Sequence, residues 1–243
     1  MRQFILLSVF IGMSISLHAQ PDHSKWTFLL KKHVQSDGMV DYQGFKSDKS
    51  TLNAYLDDLS KNGPTGDWSK EQELAYWINV YNAFTVKAII DHMPLKSILD
   101  IKPNGYESIW KKPFIELNVQ GKNVFFSLDQ IENEIIRKRF KEPRIHFALN
   151  CASFSCPPLR NEAFVAAKLN QQLEEQTRRF IEDSRRNTIG SDQVVISKIF
   201  DWFRVDFESR GTLIDFLNRY SSVRIKQNAQ IQYMNYDWSL NSK

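Results

Sequence analysis

The pattern of apolar and polar positions opens on an uncharged run, Phe4 to Leu17, behind Arg2 and ahead of His18-Ala19-Gln20. The run is shorter than the roughly 20 residues a helix needs to cross a bilayer, and polar Gln20 and Asp22 follow at once. It predicts a cleavable export signal over residues 1–19, a mature chain beginning at Gln20 and no stable membrane anchor. Two amphipathic helices come next. One carries Trp26, Leu29, Leu30 and Val34 over 24–34, the other Leu52, Tyr55, Leu56 and Leu59 over 49–60, with a turn and a short extended piece at 37–42 between them.

Ser69 with Gln72 makes a capping box for a helix running to about Met93. From Leu74 to Ile89 that helix has almost no polar face, which puts it in the middle of a domain, with Asn79 and Asn82 as buried amides in need of partners. Phe114 to Val119 and Val124 to Phe126 flank Gln120-Gly121-Lys122-Asn123 as a hairpin. Ser127 with Gln130 repeats the capping box. In the helix that follows, Glu132 falls inside the apolar stripe of Leu128, Ile131, Ile135 and Ile136, where a carboxylate must be paired, coordinated or protonated. Residues 144–150 alternate with period two, predicting a strand with Ile145, Phe147 and Leu149 on one side and Arg144, His146 and Ala148 on the other. A long helix is expected over 161–182, a strand over 194–197, a compact aromatic segment over 200–207, a short helix over 213–217 and a closing strand over 231–236. Helices and strands mix without βα alternation. The expected fold is α+β, one domain over residues 20–243 with the central helix packed on a mixed or antiparallel sheet.

Composition narrows the function classes. Removing Arg2 lowers the net charge from +4 to +3, and basic pairs such as Arg178-Arg179 and Arg185-Arg186 lie beside Glu174, Glu175, Glu182 and Asp183, so nucleic acid is not an expected partner. The chain has no glycine-rich phosphate loop, no His-Glu-x-x-His, no Cys-x-x-Cys and no Gly-x-Ser-x-Gly, and no cofactor is implied. A small-molecule, peptide or protein ligand remains, met in the periplasm or outside the cell.

Five blocks in order, Trp77 to Ala83, Ser127 to Glu132, Pro143 to Ser153, Ser155 to Leu159 and Tyr236 to Asn241, resemble the uncharacterised DUF547 family. The likeness runs from about Trp26 to Asn241. It implies one complete domain, and carries no activity and no catalytic residue with it.

The chemistry therefore has to come from the residues. Cys151 is a candidate nucleophile, His146 its base and Glu132 the group that orients the imidazole. Between the two cysteines, Cys151 is followed by Ala152 and Ser153, whose N–H groups can hold an oxyanion, whereas Cys156 is followed by Pro157 and Pro158, which have none. Asn79, Asn82 and Arg144 are the candidate binding residues, with Arg139 or Arg144 also a candidate ion partner for Glu132. A strand of five residues spans roughly 17 Å, so His146 and Cys151 meet only if the loop folds back. The competing reading is a noncatalytic binding or scaffold domain stapled by a Cys151–Cys156 disulfide, a ring contributing roughly 2 kcal/mol. Thiol-disulfide exchange lies between the two. Zinc on Cys151, Cys156 and His146 lacks the usual paired spacing, and no metal is assigned.

Overall fold

The first apolar stripes form as helices. In the computed structural model, which describes residues 20–243, α1 (Ser24–His33) buries Trp26, Leu29 and Leu30, and α3 (Lys49–Lys61) buries Leu52, Tyr55, Leu56 and Leu59. Between them lies a short helix the pattern did not announce, α2 (Tyr42–Ser47), capped by Asp41 through Gly44 N. The expected export signal, residues 1–19, lies outside the described residues. Among the described residues no helix is long and apolar enough to cross a membrane.

The central helix is α4 (Lys70–His92), and both halves of the Ser69/Gln72 capping box are made. It is buried from Leu74 to Ile90 except at Lys87, packed among α2, α3 and the segment that carries Glu132. Its Trp77 and Phe84 rings also meet Phe126 and Phe114, 5.6 and 6.3 Å away, at the hairpin β1 (Ile115–Val119) and β2 (Lys122–Phe126). The hairpin turn is tighter than expected. Gln120 and Gly121 alone make it, with φ of 51° and 77°, as a two-residue turn that follows the strand twist requires.

After the Ser127/Gln130 capping box the chain winds as a π-helix over Gln130–Arg137 before one α turn, α5 (Lys138–Phe140). The predicted strand over 144–150 is not formed. Pro143–Phe147 is a 3-10 turn, opened by Pro143 at its first turn and by Glu142 accepting from Arg144 N. The reason is burial. Residues 145–150 are all buried, so apolar and polar positions there do not report two faces.

The helix expected over 161–182 starts late, as a 3-10 turn at Ala166–Lys168 and then α6 (Leu169–Ile181), because side chains fasten the residues upstream. Asn79 holds both the N–H and the carbonyl of Phe164, and Gln172 accepts from Val165 N. A three-stranded mixed sheet follows, with β4 (Gln193–Ile196) antiparallel to β3 (Thr188–Ile189) and parallel to β5 (Gln230–Tyr233). Short helices α7 (Ile199–Trp202) and α8 (Arg204–Phe207) make the aromatic segment, and α9 (Leu213–Tyr220) closes over it. The fold is α+β.

Two apolar clusters result. One surrounds α4, and the other gathers Phe147, Phe180, Phe200, Phe207 and Phe216. Ile145 belongs to the first and Phe147 to the second, so the segment leading into Cys151 lies on the seam between them.

Candidate functional site

The cysteine loop is built by side chains that satisfy its backbone. Asn82 donates to Ala148 O at 2.9 Å and accepts from Asn150 N at 2.9 Å. Asn150 in turn donates to Pro157 O and accepts from Ala152 N, which closes the loop on itself. Arg186, 6% exposed, donates to Cys156 O at 2.9 Å and Phe154 O at 2.7 Å and is held by Asp183. The C-terminal segment lies across the same loop, with Phe154 N donating to Ser239 O, Ser155 N to Asp237 O and Asn241 N to Ala152 O. Close approach also demands Gly38, at φ 90°, since a Cβ there would stand 2.3 Å from Pro158 Cβ.

Both cysteines are free thiols, so the expected disulfide staple is not formed. Cys156 is buried, and its sulfur accepts from Cys151 N at 2.8 Å and lies 3.8 Å from Leu149 O. Cys151 Sγ sits 3.2 Å from Ser153 Oγ and 3.3 Å from Tyr236 OH, and Ser153 donates to Tyr236 at 2.9 Å. The hydrogen bond from the Cys156 thiol, helped by Ser153 and Tyr236, outweighs burial and brings the Cys151 thiol down to about 6. Burial pushes Cys156 the other way. The N–H groups expected to serve an oxyanion have other partners: Ala152 N–H is taken by Asn150, and Ser153 N–H bonds the Cys151 sulfur.

Cys151, His146 and Glu132 line one cavity of about 160 Å³, with Tyr81 and a wall of Trp110, Trp202, Phe203, Tyr236 and Trp238. The 3-10 turn achieves this, since it shortens the path from His146 to Cys151 that a strand would have extended. Glu132 bonds the Tyr81 hydroxyl, and burial together with the negative charge of Cys151 raises its carboxyl to about 7. Of the three states open to a carboxylate on an apolar stripe, protonation is therefore the one favoured up to neutral pH.

His146 takes its orientation from Asp206 rather than Glu132. Its Nε2 lies 2.7 Å from Asp206 Oδ2, and its ring stacks on Phe203 at 3.9 Å. Burial lowers the imidazole. Burial also raises the Asp206 carboxyl, but hydrogen bonds from His146 and from Arg137 Nε, at 2.7 Å, reverse that and hold it below its ordinary 3.8. With Asp206 ionised, Nε2 carries the proton and Nδ1 is left as the acceptor.

The candidate binding residues do not line this cavity. Asn79 and Asn82 fasten backbone, as above. Arg144 pairs with Glu142 at 2.7 Å and Arg139 with Glu73, so neither takes Glu132 as its ion partner. Among the described residues no group of three or more His, Cys, Asp or Glu is placed to hold a metal ion. A larger hollow of about 740 Å³ beside Gln20 to Lys31 contains no cysteine, and its His23 bonds Tyr55. Sequence reasoning missed Asp206, Tyr81 and Tyr236. Tyr81 and Tyr236 had a signal, lying inside the first and last resembling blocks, and Asp206 had none.

Residues 65–181 match the family described as "Protein of unknown function, DUF547". The segment is a DUF547 region. It contains α4, Glu132, His146 and both cysteines, while Arg186, Asp206 and the Tyr236 to Asn241 block lie beyond it. The DUF547 region thus supplies the thiol, and the chain after it supplies part of the wall and the partner of the imidazole. No curated protein and no solved structure matches the chain.

Proposed function

We propose that this is an exported thiol-dependent hydrolase or acyltransferase whose nucleophile is Cys151, acting on an acyl or peptide-like bond outside the cytoplasm. The observation that carries the reading is the Cys151 sulfur, met by the Tyr236 hydroxyl in the wall of a cavity that also presents an Asp206-oriented imidazole and a carboxyl raised to about 7. A thiol brought down to about 6 is largely thiolate at neutral pH and needs no base to begin. The apolar run at residues 4–17 is the basis for export.

In this mechanism the thiolate attacks the acyl carbon, and the Tyr236 hydroxyl, released from the sulfur as that atom loses its charge, turns to hold the oxyanion. As the C–N or C–O bond breaks, the Glu132 carboxyl passes its proton to the leaving group. Water or an acceptor amine then gives its proton to His146 Nδ1 and attacks the thioester. The S–C bond breaks, the thiolate returns, and the imidazole passes its extra proton to Glu132 directly or through water. Hydrolase and transferase differ only in the second nucleophile.

Mass spectrometry during turnover of p-nitrophenyl acetate tests this. The expected result is a burst of p-nitrophenolate with an acetyl group on Cys151, absent in Cys151→Ala. Acetyl transfer at the same rate in Cys151→Ala, or a modified lysine in place of the cysteine, overturns it and leaves the cavity as a binding site.

A further inference from the structure

We propose that the cavity selects a cationic, ammonium-bearing group of side-chain size on its substrate, received by the ring wall of Trp110, Trp202, Phe203, Tyr236 and Trp238. This rests on the reading of Cys151 as nucleophile only in naming the bound group part of the substrate.

The cavity's polar side chains are Tyr81, Glu132, His146, Cys151, Cys156 and Tyr236, and no Lys or Arg lines it. The Arg137 guanidinium is the nearby cation, lying 4.9 Å from the Phe203 ring, but its Nε is committed to Asp206. An anionic substrate group, whether phosphate or carboxylate, would therefore enter beside the Cys151 thiolate with no compensating charge. A cation gains from the thiolate. The rings supply the second attraction. Trp202, Tyr236 and Trp238 form a continuous wall, with centroids 4.8, 5.9 and 4.6 Å apart, and Trp202 is 46% exposed at the surface. Ring faces lining a cavity attract an ammonium by their quadrupole, most strongly when the cation is desolvated. A space of about 160 Å³ is about five water volumes, enough for one ammonium group and a few carbons.

Methanethiosulfonates read this at the thiol itself. The thiolate attacks the reagent sulfur, forming a disulfide and releasing methanesulfinate. Rates at Cys151 are measured at pH 7 for reagents bearing trimethylammonium-ethyl, methyl and sulfonato-ethyl groups, each divided by its rate with N-acetylcysteine. The expected order is cationic, neutral, anionic, with the first step at least about tenfold, and with Trp202→Ala reducing that step. Equal normalised rates, or a neutral reagent ahead of the cationic one, overturn the proposal. A second arm needs no reactive thiol: in Cys151→Ala, tetramethylammonium should quench tryptophan fluorescence saturably at concentrations about tenfold lower than tert-butanol. If no reagent reacts with the wild-type thiol, the nucleophile fails while this arm still tests cation binding at the ring wall. Tert-butanol binding as well as tetramethylammonium assigns the wall to neutral groups and ends the proposal.

Discussion

At Cys151 the proton balance is set by a few contacts, and each can be removed alone. Tyr236→Phe deletes one hydroxyl from the sulfur and leaves the ring in place. Losing a hydrogen bond to a charged group worth about 1.4 kcal/mol should move the midpoint of thiol alkylation up by about one pH unit. Glu132 gives a prediction of opposite sense in stability. Its carboxyl is raised from 4.5 to about 7, so the unfolded chain ionises it first, and the stability it contributes below 4.5 is lost as pH rises through 7. Because its partner is the neutral Tyr81, Glu132→Gln should match the wild type at pH 4 and exceed it above pH 7, by about 1 to 3 kcal/mol. Urea unfolding at the two pH values checks this, and a mutant less stable at pH 8 contradicts it. The same substitution should slow turnover of amide substrates, which need the proton most.

The elements show where sequence pattern was informative and where it failed. The two capping boxes and the all-round apolar run of α4 read correctly because each is a local instruction: a cap is a hydrogen bond over three residues, and burial on every side removes polar positions. Residues 144–150 misled because period two assumes one wet face, and in a segment buried on both sides that face does not exist. The late start of α6 was not legible, since Asn79 and Gln172 decide it from other parts of the chain. The site was half legible. Cys151, His146 and Glu132 do share a cavity, but Asp206 as partner of the imidazole is 60 residues from His146 and carries no local mark. Asn82 measures how much the loop depends on such remote clamps. Asn82→Ala strands a buried N–H and a buried carbonyl in the turn before Cys151, and should lower the stability by about 2 to 4 kcal/mol in urea unfolding.

Across the whole molecule the site lies where the two apolar clusters meet, and the Arg137, Asp206 and His146 set joins them, with Arg137 on the π-helix and Asp206 on α8. Both titrating members are depressed in the fold. Their stabilisation is present above the unfolded values, near 6.5 for His146 and 3.8 for Asp206, and is lost as pH falls below each. The wild type should therefore weaken in acid, and Asp206→Asn, weaker at pH 7, should lose less between pH 4 and pH 2; equal acid slopes would show that the set does not couple to folding. Export is tested at the same scale, by mass analysis of the chain recovered outside the cytoplasm, which should begin at Gln20. Whether Cys151 is the nucleophile is decided by the rate of iodoacetamide alkylation at each cysteine, measured by peptide mass analysis from pH 4.5 to 9.5. Labelling is expected at Cys151 alone in the folded protein, with a midpoint near 6; a midpoint between 8 and 9, or equal labelling of Cys156, would rule that role out.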